Sequence, residues 1–216
     1  MRQPWFPYVV PMATFMLFTT LESFWPHAGI YPWLYGAKVG TVSLMLAYFA
    51  QPWQEIRPQR NITLLALVVG LIVFAEWILL DQWIPYPHLG TRLSFNPFAE
   101  LRGFMLPLFL ALRCYGLVVM VPIMEEIFWR SFLLRYLSVP DFRKIPLGSF
   151  TGVAFAITAV LFGLLHSEWL VAILAGLIYA LLLKTTRSLY ACIVAHSTTN
   201  LALGIYVIAT QSWQYW

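Results

Sequence analysis

Charge is what this chain has least of. Only 10% of its 216 residues are Asp, Glu, Lys or Arg, against about a quarter in a soluble domain, so an ordinary water-soluble fold is excluded. Cysteine is also scarce. Cys114 and Cys192 both fall inside apolar runs without metal-site or disulfide spacing, which excludes a disulfide framework and reads as packing. No internal repeat or low-complexity tract is present. The first apolar stretch, residues 9–24, is followed by no small-x-small cleavage site, so it reads as a retained helix rather than a signal peptide. What the chain has in abundance is hydrophobic residues, 61% of the total. Runs of about twenty mainly apolar residues, enough to cross a hydrocarbon core of about 30 Å, recur along almost its whole length. Lipid is therefore the solvent, and residues 1–216 read as a single integral membrane domain.

The spacing of these runs predicts an all-α, polytopic transmembrane helix bundle of about seven spans, at 8–24, 32–50, 62–80, 103–137, 147–166, 169–184 and 189–210. The fourth is too long for a simple crossing, since about 35 helical residues would reach roughly 50 Å; it must tilt, kink or project, with Pro107 and Pro122 as candidate kink points. Residues 81–102 carry Pro85, Pro87, Gly90 and Pro97 among aromatics and read as an interfacial loop.

The net charge of +4 does not point to nucleic acid, because the basic residues sit in short loops. In a seven-span arrangement Arg2, Arg57, Arg60, Arg135, Arg143, Lys144, Lys184 and Arg187 share one side; Arg92 and Arg102, with Lys38 near them, take the other. The positive-inside rule then places the N-terminus in the cytoplasm and the C-terminus outside. Trp213, Tyr215 and Trp216 follow the last span as headgroup-level anchors.

An ionisable side chain within a span costs at least about 2.5–3.5 kcal/mol on insertion scales, so each needs a reason. Three clusters stand out: Glu125 and Glu126 with Arg130 on the fourth span, Phe162 with His166 on the fifth, and His196 with Asn200 on the seventh. Adjacent helical residues differ by about 100° in direction, whereas residues four apart share a face. Glu126 therefore lies over Arg130 as a structural ion pair, and Glu125 points elsewhere with no local cation. His196 and Asn200 project together. Such a set suits hydrolysis of an amide, with Glu125 as general base on a water also held by His166, and His196 with Asn200 stabilising the oxyanion. The same groups suit zinc, for which Glu125, His166 and His196 would be the ligands. Both versions stay open; a site requiring no cofactor is preferred because Asn is an uncommon zinc ligand.

These three motifs, in this order on successive late helices, resemble the CAAX prenyl protease and bacteriocin-processing family of intramembrane proteases. The likeness is closest to the bacterial branch linked to exosortase systems, and residues 104–210 resemble the catalytic core. The resemblance implies that Glu125 and His166 activate water, that His196 and Asn200 form the oxyanion site, and that Glu126 and Arg130 support the motif. It further implies a multi-pass protein of the bacterial inner membrane that cleaves a membrane-associated or lipidated protein, with membrane lipid and exosortase-system proteins as candidate partners. Two other classes remain as rivals: a non-catalytic scaffold or partner of a protein-sorting system, and an ion- or proton-coupled transporter, whose inverted or parallel repeats are not evident.

The remaining charges read as structural. Glu22 is expected to pair with Lys38 and Glu76 with Arg113, His27 and His88 to be solvated, and Glu168 to favour the start of the sixth span through the helix dipole. Trp129, four residues after Glu125, shares its face and is a candidate groove residue.

Overall fold

The computed structural model describes residues 3–25, 29–90 and 95–215; the expectations for Arg2, His27, Arg92 and Trp216 lie outside these. Seven long helices stand where seven spans were expected: α1 (Phe6–Phe24), α2 (Tyr31–Tyr48), α3 (Arg60–Trp83), α4 (Met105–Tyr136), α5 (Gly152–Leu164), α6 (Trp169–Thr186) and α7 (Leu189–Thr210). The described residues contain no strand. Helices α3, α4, α6 and α7 are long and apolar enough to cross a membrane. α5 is apolar but has only 13 residues, and α1 and α2 have the length but are less apolar. This is a membrane protein.

α4 is the axis of the bundle. The α1–α2 hairpin packs on one side of it, and α7, which also packs along α3 and α6, lies on the other. Side chains all along α4, Met120, Met124, Ile127 and Leu134 among them, are almost completely buried. The helix runs for 32 residues because it changes its winding twice, at π-helical turns Gly116–Met120 and Ile127–Leu133. Of the two expected kink points, Pro107 falls in the first turn of α4, where its missing N–H costs nothing. Pro122 follows the first π turn. A π turn bonds each carbonyl to the N–H five residues on, so Leu117 would need an N–H from Pro122, which has none. The Asn200 side-chain amide on α7 donates to the Leu117 carbonyl instead, at 2.8 Å.

Close helix approaches set the positions of α7 and α5. A Cβ on Gly70 of α3 would collide with the Ala195 carbonyl of α7 and lie 2.7 Å from Thr198 Cβ. One on Gly163 of α5 would lie 2.6 Å from the Trp169 carbonyl of α6. Both neighbours are backbone and cannot turn aside. Gly70→Ala is therefore expected to destabilise by about 1–3 kcal/mol through overpacking. Gly40→Ala, which meets nothing within 4 Å, is expected to be neutral or slightly stabilising because Ala is the better helix former. Thermal unfolding of the two variants in the same detergent measures the difference.

Candidate active site

Between the α1–α2 hairpin and the bundle of α3, α6 and α7, with α4 at its back, lies a cavity of about 790 Å³. Glu125, His166, His196 and Asn200 all line it. Its wall also takes apolar residues from α1 and α4, including Met12, Phe15, Met16, Leu117 and Val121.

The two neighbouring glutamates part company as their helical directions require. Glu126 is fully buried and pairs with Arg130, its Oε2 3.2 Å from Arg130 Nε. Arg130 donates from Nη2 to the Gly176 carbonyl at 3.4 Å, and its guanidinium lies over the rings of Phe162 and Tyr179, 4.7 and 5.4 Å from their centroids. Glu125 faces the cavity instead, and its Oε2 has no hydrogen-bond partner.

One contact was not legible in the helical spacing. His196 Nδ1 lies 2.9 Å from Glu126 Oε1. An ionised carboxylate only accepts, so Nδ1 carries the proton and Nε2 presents its lone pair to the cavity. That Nε2 is 4.0 Å from Glu125 Oε2, too long for a direct hydrogen bond but a span that one water can bridge. Glu126 thus holds Arg130 with one oxygen and orients His196 with the other. The His196 ring is stacked on Tyr179 of α6, with centroids 5.2 Å apart and planes at 23°. Tyr179 OH donates to Thr199 Oγ1 at 2.7 Å. Tyr179 and Thr199 were missed in the sequence, where the one available signal was a tyrosine in the middle of a run of aliphatic residues, since a buried phenol needs a partner.

His166 stands in the turn after α5. Its Nδ1 donates to the Phe162 carbonyl at 2.8 Å, which leaves Nε2 as an acceptor, and its ring packs edge-on to Trp77. Phe162 separates it from the other imidazole, with ring centroids 4.8 Å from His166 and 6.3 Å from His196. No hydrogen bond or ion pair joins His166 to Glu125. Among the described residues no three His, Cys, Asp or Glu side chains gather closely enough to hold a metal ion. Asn200 spends one amide hydrogen on Leu117 and keeps the other.

Other expected placements divide. Lys38 Nζ pairs with Glu22 Oε2 at 2.5 Å in the cavity wall. Arg113 does not pair with Glu76: it donates to Tyr31 OH at 3.3 Å and lies over the Tyr35 ring. Both carboxylate oxygens of Glu76 are buried without a hydrogen-bond partner. His88 stays partly exposed, as expected, and also binds Asp81 at 2.7 Å. Glu168 occupies the N-cap of α6. Trp129 is buried against Phe162 of α5 and does not line the cavity.

Residues 101–202 match the Rce1-like family. The matching family model is described as type II CAAX prenyl endopeptidase Rce1-like. The Rce1-like segment runs from just before α4 to the second half of α7, and so contains all seven residues of the three motifs; α1, α2 and α3 lie outside it. No curated protein and no solved structure matches. At family level the Rce1-like match supports a protease, a hydrolase acting at the membrane.

Proposed function

We propose that the protein is an intramembrane endopeptidase that cleaves a peptide bond of a membrane-associated protein with a water activated by Glu125. The observation that carries this reading is the division of the two glutamates: Glu126 neutralises Arg130 and orients His196, while Glu125 faces the cavity unpaired, one water's span from His196 Nε2. A carboxylate in that position takes a proton from the bridging water as its oxygen attacks the substrate carbonyl. The tetrahedral oxyanion then faces the free Asn200 amide hydrogen. Glu125 passes the water's proton to His196 Nε2, which then donates to the oxyanion. Collapse of the intermediate breaks the C–N bond as the same proton moves on to the leaving nitrogen, so the products are a carboxylic acid and an amine, which exchange one further proton to become carboxylate and ammonium. His166, further along the same wall, presents an Nε2 acceptor to the substrate path. No step here is routed through a metal.

The test is purified protein in detergent with a cleavable membrane peptide, with and without a strong chelator, and with bound metal measured in parallel. Cleavage that survives chelation is the expected result. Stoichiometric zinc whose removal abolishes cleavage would overturn the metal-free mechanism, and absence of cleavage by the wild-type protein on a broad panel of membrane peptides would overturn the protease reading.

A further inference from the structure

His196 is fixed at one edge by Glu126, whose Oε1 lies 2.9 Å from its Nδ1, and one hydrogen bond by itself leaves an imidazole free to pivot about that point. The other edge faces the proposed chemistry. Nε2 stands 4.0 Å from Glu125 Oε2, and a pivot that closed this gap by about 1 Å would bring the two into direct hydrogen bonding. The carboxylate would then be occupied by the imidazole instead of the water it has to activate. Keeping the slot open therefore requires that the plane of the ring be held as well as its edge.

Tyr179 of α6 meets α7 on three successive turns. Cys192 Sγ donates to the Tyr179 carbonyl at 3.5 Å, the His196 ring lies on the Tyr179 ring, and the Tyr179 hydroxyl donates to Thr199 Oγ1. Residues 192, 196 and 199 share one face of α7, because they are spaced four and then three apart. Thr199 Oγ1 is itself anchored, donating to the Gly70 carbonyl of α3 at 2.8 Å. The tyrosine is thus held at its backbone and at its tip, and the flat surface between those two points carries the imidazole. All four of these side chains are buried, so a phenol that turned away would strand a donor.

We infer that Tyr179 is a positioning residue for the proposed hydrolysis, holding the plane of His196 so that the slot between Nε2 and Glu125 stays one water wide. This rests on the protease reading for the purpose of the slot, but not for the clamp itself. Ring and hydroxyl have separate parts: the ring face sets the imidazole plane, and the hydroxyl sets the ring through Thr199. Tyr179 acts through His196 and exchanges no proton in the reaction. Its face also suits the imidazolium formed when Glu125 passes on the water's proton, since a cation within about 6 Å of an aromatic ring centroid is attracted to the ring face.

The experiment compares Tyr179→Phe, Tyr179→Met and Thr199→Val in the full chain, purified in detergent. Cleavage kinetics are measured on a panel of membrane peptides, and nitrogen NMR is recorded on isotope-labelled histidines, with His196→Asn identifying the His196 signals. Tyr179→Phe keeps the ring and loses one neutral hydrogen bond, so kcat is expected to stay within about fivefold of wild type. Tyr179→Met fills much of the volume with a flexible chain but offers no face. Its kcat is expected to fall about a hundredfold, the cost of a misplacement of about 1 Å, with KM held within about twofold because the lost interaction is one made in the transition state. Wild type and Tyr179→Phe are expected to show His196 as one tautomer with its proton on Nδ1, and Tyr179→Met as a mixture. Thr199→Val removes the phenol's acceptor without changing its shape; it is expected to lie between the two, and it carries the comparison if Tyr179→Met lowers the yield of folded protein. Wild-type kcat with a single His196 tautomer in the Met and Val variants would overturn the inference and leave the protease reading intact. So would a raised KM at unchanged kcat, which would make Tyr179 a substrate contact. A tautomer mixture in Tyr179→Met, with no cleavage of any peptide by the wild-type protein, would remove the protease reading and uphold the clamp.

Discussion

Glu125→Gln is expected to abolish peptide cleavage while leaving the protein folded. The carboxylate faces the cavity, its Oε2 makes no hydrogen bond, and no cation depends on it, so an isosteric amide leaves no charge stranded. The amide cannot accept the water's proton. Loss of a general base lowers the rate by about a hundredfold to ten-thousandfold, and no neighbouring dipole substitutes for it. Asn200→Ala is expected to be milder, with the hundredfold to thousandfold loss typical of one oxyanion donor, and the histidine variants to fall between. Steady-state cleavage rates, with melting temperatures of the same samples, test the ranking. Full activity of Glu125→Ala would overturn the protease assignment itself.

Glu126→Gln and Arg130→Met are each expected to cost folded protein first and activity second. Both side chains are buried, with side-chain exposures of 0% and 1%, and Arg130 is enclosed by Phe162 and Tyr179. Removing one partner leaves the other as an uncompensated buried charge, an effect of about 3–5 kcal/mol. Glu126→Gln also removes the acceptor that orients His196, so whatever folded protein remains should cleave slowly. The double variant Glu126→Gln with Arg130→Met is expected to recover part of the stability, because no charge is then stranded, but not the activity. Yield of monodisperse protein and its melting temperature in detergent measure the first effect, and cleavage per folded molecule the second. Equal loss of folded protein from Glu125→Gln and Glu126→Gln would refute the division of labour.

The comparison of these two glutamates shows how far helical periodicity reaches. The Glu126–Arg130 pair is an i, i+4 relation, and the separation of Glu125 from Glu126 follows from the 100° step between neighbours; both were legible without a fold. The Glu22–Lys38 pair was legible too, because two buried opposite charges at one membrane depth have strong reason to meet. Glu76 and Arg113 met the same condition and failed. Arg113 found two tyrosines on α2, and nothing in a linear sequence says which helix an arginine turns towards. Trp129 left the cavity for a similar reason: it packs on Phe162 of α5, a partner that spacing within α4 does not name.

The sequence by itself determined the solvent, the number and place of the helices, the asymmetry of the loops and the residue types able to do the chemistry. Each of these rests on short-range properties: apolar run length, charge in adjacent loops, and spacing within one helix. Only the tertiary structure decided which groups meet. Glu126 and His196 are 70 residues apart, and their contact depends on α7 approaching α4 and on Gly70 letting α7 lie against α3. The stacking of Tyr179 on His196 and the bond from Asn200 to Leu117 arise in the same way, from helix packing. So does the part-buried polar cluster that joins Tyr8, Glu55, Ser131 and Arg135 from three separate stretches of chain. Periodicity fixes which way a side chain leaves its helix; the partner it meets is set by interhelical packing, which has no signature in the spacing of one helix.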